Sequence, residues 1–244
     1  MRLLLVFLKE PTPGQVKTRL AADVGADDAA RYHKALVEVL LRQLQGLNNC
    51  RIRFCYTPDD AEDAIRFWLL PEMRATSGPS KNLYLAPSSH ATRKLTQEVD
   101  FRAQGHGDPG NRLERAFAQG FADGFREIAV IGTDCPDCGA RWINAAFARL
   151  ASHPINHAVV GPGMDGDHYL LALKSPAPQL FRHTPWSLGA ALEASLSAAH
   201  SGQNHITTEL LPELPGVSRL RDWQRAMDSP LGAALKKALG EEIT

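Results

Sequence analysis

Three carboxylates stand in turn-like surroundings, Asp134 in VIGTDCPDC and the pair Asp165 and Asp167 in GPGMDGDHYLLAL. The D-x-D spacing brings two like charges together, and a shared divalent cation relieves their repulsion. A turn built of Gly and Asp accounts for the same residues without an ion. Asp134 follows an apolar run, where a carboxylate projects into the ligand crevice of an open α/β sheet. It is a candidate ligand for Mg²⁺ or Mn²⁺, the hard cations that oxygen donors suit, or alternatively the cap of the next helix. His168 beside the pair is a candidate base or a turn histidine. Opposite charge gathers in KEPTPGQVKTRL, where Lys9, Lys17 and Arg19 surround one loop. Three cations there suit a diphosphate, and equally a solvated surface loop. Gly14 is the loop's lone glycine; Pro11 and Val16 stand where a P-loop needs glycine, so the loop is not one.

Two further patterns are weaker. QGHGDPGNRLERAF contains a literal G-x-G-x-x-G at Gly105, Gly107 and Gly110 ahead of a helical run. In a dinucleotide site Asp108 would face the phosphates, and two like charges about 4 Å apart cost on the order of 4 kcal/mol at an effective dielectric near 20. Pro109 also removes an N–H that the pyrophosphate would use. A Gly/Asp/Pro loop capping a helix is the alternative. Cys135 and Cys138 form a C-x-x-C, which supplies only half of a zinc site and otherwise suggests a redox pair.

These residues need a scaffold that delivers them to one place. Apolar and helical runs alternate along the chain, as in a mostly parallel sheet covered on both faces. RLLLVFL reads as a buried first strand, RIRFCYT as the second, EIAVIGTD as another, and HAVVGP and DHYLLAL as a pair around the GMDG turn. Helices are expected over about 27–47 with Asp27 as cap, from Asp59 or Asp60 to about Leu70, and over about 111–124, where Asn111 and Glu114 have capping-box spacing. Further helices are expected over about 139–151, 188–200 and 222–239. Residues 71–103 read as a long loop or lid, with a strand over EVDFRAQ at its end.

Composition limits the function classes. At 244 residues, one domain over 1–244 is the default. Lys plus Arg equals Asp plus Glu at 27 each, so no overall field favours nucleic acid or an anionic membrane. The opening apolar run is too short for a signal segment or a span. Four cysteines are too few for a disulfide scaffold and fit a reducing, cytoplasmic setting.

Taken together, LKEPTPGQVKTRL, QGHGDPGNRLERAF, IGTDCPD and GPGMDGDHYLLAL, in this order, resemble the small bacterial glycosyltransferase-like proteins of the nucleotide-diphospho-sugar transferase superfamily, some relatives of which are associated with arsenosugar biosynthesis. The resemblance covers about residues 1–190, and LPELPGVSRLRDW is similar to the family's tail. It implies the GT-A fold, a three-layer α/β/α sandwich with a mostly parallel, Rossmann-like sheet and one antiparallel strand. It also implies a nucleotide-diphosphate sugar donor, a small acceptor and a divalent metal. Carried over, Lys9, Gly14, Lys17 and Arg19 match the basic loop, and Gln104, Gly105, Asp108, Gly110 and Arg112 the second motif. Asp134 matches the metal-binding acid, and Asp165 with Gly166 the acidic turn. Where such sequences read D-L-G this chain has Asp108, Pro109 and Gly110; where they read D-G-G-Y-Y it has Asp165, Gly166, Asp167, His168 and Tyr169.

The resulting expectation is glycosyl transfer with Asp134 and Asp165 on the metal and Asp165, Asp167 and His168 as catalytic candidates. Trp186 is a candidate for stacking on a sugar face or for the core. The alternatives are a nucleotidyltransferase on the same fold, which would bring a glycine-rich first loop, a nucleotide binder without turnover, and a redox protein using Cys135 and Cys138.

Overall fold

The first strand, β1 (Arg2–Lys9), shows why the sheet is central: Leu4, Val6 and Leu8 enter one apolar cluster while Leu3 and Leu5 enter another, so both faces are covered. The computed structural model describes residues 1–47, 49–76, 99–182, 190–200 and 205–241. Among these, β1 is joined by β2 (Cys50–Thr57), β3 (Val99–Ala103), β4 (Glu127–Ile131), β5 (His157–Pro162), β6 (His168–Leu173) and β7 (Thr207–Leu210) in a sheet of order β3-β2-β1-β4-β6-β5-β7. β2, β1 and β4 run parallel, with Arg2 opposite both Cys50 and Glu127. Only β6 is reversed, antiparallel to β4 and to β5, while β7 runs parallel to β5. Every parallel strand therefore ends at one rim, where β6 begins. Lys9, Ile131, Pro162 and His168 all lie along it.

Helices α2 (Ala26–Gln43), α3 (Glu62–Thr76) and α5 (Ala140–Ser152) cover one face through Leu40, Leu44, Ile65, Ile143 and Phe147. The other face carries α4 (Pro109–Ala122) and α6 (Ala191–His200), with Leu113, Phe117 and Ala199 against Leu5 and Val130. Burial of a side chain such as Phe117, 1 % exposed, contributes roughly 1.5–3 kcal/mol. A Cβ on Gly120 would stand 2.7 Å from Ile128 Cδ1 and 2.9 Å from Leu3 Cδ2, so glycine is what lets α4 lie close on the sheet. A third cluster joins the outer side of α2 to α1 (Thr18–Val24), α7 (Leu220–Met227) and α8 (Gly232–Leu239) through Leu20, Leu36, Trp223 and Leu235. Tyr32 stacks on Trp223 there, 4.1 Å between centroids.

The expected fold class is the observed one, while several boundaries move. Asp27 lies in the first turn of α2 and does not cap it; Gly25 occupies the cap position, because a separate helix, α1, ends there. α4 starts at Pro109, with Asp108 as its cap in place of Asn111. The expected helix over 222–239 is two helices, α7 and α8, divided around Pro230, which lacks the N–H a continuous helix requires. α3 and β3 take the two ends of 71–103, and residues 77–98 lie outside the described residues. β7 was absent from the sequence reading, since TTEL lies at the sheet edge with a half-exposed pattern and carries no apolar run.

Candidate functional site

The loop after β1 delivers one of its cations, Lys17, inward by an unusual backbone. Lys17, at the cap of α1, has φ 48 and ψ 43, a left-handed conformation that a non-glycine residue rarely adopts. Its ammonium donates to Asp134 Oδ1 at 2.6 Å and to the carbonyl of Val217. The Lys17 side chain is only 5 % exposed while that of Asp134 is 63 % exposed, so the pair sits where a buried wall meets solvent. Gly14 turns the loop at φ 77. Lys9 is exposed, and its carbonyl accepts a 3.1 Å hydrogen bond from Nε2 of the buried His33. With the proton on Nε2, Nδ1 of His33 is left buried with no hydrogen-bond partner among the described residues. Burial, then the charge of Lys17, brings the His33 pKa down to about 4, against the Lys9 carbonyl and Asp134, which raise it.

Asp134 follows β4. Although its side chain is largely exposed, desolvation by the protein packed around it acts to raise its pKa, but the charge and hydrogen bond of Lys17 and the charges of His33 and Lys9 prevail and hold it below the ordinary carboxylate value. Its main-chain carbonyl accepts from Val217 N at 2.8 Å. The capping alternative fails, because α5 begins only at Ala140 with Gly139 at its cap. Cys135 and Cys138 are buried free thiols, pushed up to about 12 and well above the ordinary thiol value by burial first. Buried thiols that stay protonated are poor nucleophiles, which argues against the redox reading.

The β5–β6 pair carries the acidic turn. Gly166, at φ 84, donates to the Gly163 carbonyl at 3.1 Å and closes it. The turn is fastened to residues 211–217 by Met164 N to Leu214 O and Leu214 N to Pro162 O, each 3.1 Å. This segment passes between the two acidic turns: a Cβ on Gly216 would lie 3.4 Å from Asp165 Oδ2 and 3.9 Å from the Asp134 carbonyl. Asp167 N points to Asp165 Oδ1 at 3.4 Å. Burial first, then the charge of Asp165 and more weakly that of Asp134, raises the Asp167 pKa to about 6, while a hydrogen bond from the main chain of Ala191 and the charge of Arg19 lower it. Asp167 Oδ1 is buried with no hydrogen-bond partner among the described residues. Burial lowers the His168 pKa to about 4, so its ring is neutral near pH 7.

The loop between β3 and α4 is built differently. Gln104, 8 % exposed, reaches under β2 to donate from Nε2 to the carbonyls of Leu8 at 3.1 Å and Cys55 at 2.8 Å, while its Oε1 accepts from Arg112 at 3.4 Å. Arg112 Nε also bonds the Gly107 carbonyl, and Arg115 clasps the carbonyls of Gln104 and His106 at 2.6 and 2.7 Å. Gly105, at φ 73, donates to Asp59 and leaves room for Arg115, which a Cβ would meet at 2.4 Å. Asp108 Oδ1 accepts from Asn111 N at 2.8 Å, an ordinary N-cap.

Lys17 bonds Asp134, the charge of Lys9 acts on Asp134 and that of Arg19 on Asp167, and Asp165, Asp167 and His168 stand at the turn between β5 and β6, all at the rim where the parallel strands end. Gln104, Gly105, Asp108 and Arg112 form the next loop along the rim, with their polar groups turned on one another. Trp186 lies outside the described residues. His33, Gly216 and Val217 went unnoticed in the sequence. His33 lies inside a helical apolar run and reads as core, and only the loop bonds of 211–217 reveal the other two. Asp134, bonded to Lys17, and Asp165 offer oxygen donors of the type that Mg²⁺ or Mn²⁺ takes, with Gly216 between the two turns. They supply two protein ligands and no preformed cage: among the described residues, the one trio of ligand atoms all within 4.8 Å is His153, His157 and Glu209.

The family profile of DUF2064, described as an uncharacterized protein conserved in bacteria, matches residues 40–188. No curated protein matches the sequence. A protein of Desulfovibrio desulfuricans G20, described provisionally as a nucleotide-diphospho-sugar transferase, shares the fold with a TM-score of 0.75 at 24 % identity, over 98 % of this chain and 96 % of that one. Glucosyl-3-phosphoglycerate synthase of Mycobacterium tuberculosis, in complex with Mn²⁺, UDP and glucosyl-3-phosphoglycerate, aligns with a TM-score of 0.51 at 10 % identity, over 100 % and 81 %. A cytidylyltransferase of Leptospira borgpetersenii aligns with 0.52 at 8 % identity, over 95 % and 87 %. These likenesses establish the GT-A nucleotide-sugar transferase fold. Among the described residues, no helix is long and apolar enough to cross a membrane.

Proposed function

The chain belongs to the DUF2064 family, and on that premise we propose that it transfers a sugar from a nucleotide-diphosphate donor to a small acceptor with the help of Mg²⁺ or Mn²⁺. The observation that carries this reading is the meeting of a cationic loop and two carboxylate turns at the rim where parallel strands end. The same fold holds Mn²⁺ and UDP in the mycobacterial synthase, which supports a nucleotide site across this rim.

Lys9, Lys17 and Arg19 would bind the diphosphate, with Lys17 able to exchange its bond to Asp134 for one to a phosphate oxygen. Asp134 and Asp165 would hold the ion. When bound, the ion neutralises charge developing on the departing diphosphate as the bond from anomeric carbon to oxygen breaks. Asp167, its basicity raised by burial and by the charge of Asp165, would orient the acceptor hydroxyl and take its proton as that oxygen bonds to the anomeric carbon. His168, neutral, would assist only by position. Gly14 would let the basic loop fold over the phosphates, with Gln104, Gly105, Asp108 and Arg112 shaping the nucleotide side. The arsenosugar-associated relatives make arsenic-bearing hydroxyl compounds one acceptor class to include.

Thermal stability in the presence of UDP, GDP, ADP, CDP or TDP, with and without Mn²⁺, tests the proposal. At least one diphosphate should raise the Tm in a metal-dependent way, and Asp134→Asn should abolish that rise. No shift with any of them would sink it. Release of pyrophosphate from a nucleoside triphosphate would move the reading to nucleotidyl transfer.

A further inference from the structure

The rim opposite the crevice, where the parallel strands begin, gathers a different donor set. His153 ends α5, His157 opens β5 and Glu209 lies on β7, beside Thr207 on the same face of that strand. Nε2 of His153 and of His157 stand 3.3 and 3.7 Å from one oxygen, Glu209 Oε2. The two rings are stacked, 3.9 Å between centroids. Arg149 Nη1 holds the other carboxylate oxygen, Oε1, at 3.2 Å, which leaves Oε2 to face the histidines.

Thr207 engages His157 at the ring nitrogen away from Glu209. The Thr207 hydroxyl has one proton and two neighbours, the Asn156 carbonyl at 3.2 Å, which can only accept, and His157 Nδ1 at 2.7 Å. With that proton on the carbonyl, Thr207 Oγ1 accepts from Nδ1 and His157 Nε2 presents a lone pair; with it on Nδ1, Nε2 carries the ring proton toward Glu209. His157 is 4 % exposed, and its Nε2 is buried with no hydrogen-bond partner among the described residues, as is Glu209 Oε2. In the Nδ1–H tautomer a lone pair faces a carboxylate oxygen across a gap, a repulsion that a cation between them would relieve. A ring nitrogen held bare by a hydrogen bond at the other nitrogen is how proteins prepare a metal-binding histidine.

From this geometry we propose that His153, His157 and Glu209 bind one late first-row divalent cation, with Zn²⁺ as the reference ion and water completing the coordination. Zinc-to-ligand bonds of about 2.0–2.2 Å place tetrahedral neighbours about 3.3–3.5 Å apart, close to the two separations found here. Two imidazoles and one carboxylate suit Zn²⁺, Ni²⁺ or Cu²⁺ and not Mg²⁺, which distinguishes this site from the all-oxygen crevice. The ion would fasten the end of α5 to the edge strand β7. Nothing in this argument depends on the transferase reading.

The test uses the full chain, stripped with EDTA and re-equilibrated in millimolar Mg²⁺, then titrated with Zn²⁺ alone, with bound zinc counted by mass spectrometry. One tightly held Zn²⁺ per chain is expected, retained in Asp134→Asn. His153→Gln, at a half-exposed position that keeps the fold, and Glu209→Gln should each weaken binding at least tenfold. Thr207→Val should weaken it by about tenfold through the tautomer. Absence of stoichiometric zinc, unchanged affinity in both His153→Gln and Glu209→Gln, or loss of the zinc in Asp134→Asn would each overturn the proposal.

Discussion

Two neighbouring stretches of one rim use the same residue types to opposite ends. In the loop between β3 and α4, Gln104, Gly105, Asp108, Arg112 and Arg115 bond to main-chain groups and to one another, so little polar capacity is left for a ligand. In the turn between β5 and β6, and at Asp134 facing it, carboxylates remain open or crowded by like charge. A polar side chain that closes its own loop lowers the energy of the fold; one left unsatisfied costs energy until something arrives. The difference separates residues that close their own loop from residues with polar capacity to spare, among ones that look equally chemical in the sequence.

That contrast can be broken by substitution. Asp134→Asn should have the largest effect, lowering turnover by about a thousandfold once a donor is identified, because a charge acting on the transition state is removed. A loss of less than tenfold would move the site elsewhere. Next comes the pH dependence contributed by His33. Its pKa is about 4 in the folded chain and near 6.5 when unfolded, so the unfolded state binds the extra proton between these values. Stability from this group is complete above pH 6.5 and is lost as pH falls toward 4, by on the order of 3 kcal/mol. Urea unfolding across that window should show the slope, and His33→Gln should flatten it.

Gln104→Ala should cost about 2 kcal/mol by leaving the buried carbonyls of Leu8 and Cys55 without a donor, with nucleotide affinity within twofold of the parent. A larger change in affinity than in stability would mean that Gln104 touches the nucleotide itself. The smallest effect belongs to Asp108→Ala, about 1 kcal/mol from loss of the α4 cap, read from thermal unfolding. Metal-dependent Tm shifts should survive it.

Much of this organisation was legible in the residues. Leu3 to Leu8 and the run before Asp134 announce buried strands because both their faces are apolar, and the turns after them are where such sheets bind ligands. Side-chain direction was not legible. Nothing in KEPTPGQVKTRL says that Lys17 adopts a left-handed backbone and turns inward, since that depends on Val217, 200 residues away. Asp108 looks chemical because glycines surround it, and the sequence does not show that its Oδ1 accepts from Asn111 N. His153, His157 and Glu209 escaped notice because their partnership exists only after an edge strand of four residues docks beside β5.

The position of that edge strand has a mechanical consequence. β7 begins at the rim of the histidines and leads directly into Leu214, Gly216 and Val217, which thread between the acidic turns and give Lys17 one of its acceptors. It acts as a tie-rod between the two ends of the molecule. Loss of its anchorage at Glu209 is expected to let this segment shift, and with it the Val217 carbonyl that Lys17 bonds, while the central strands stay in place.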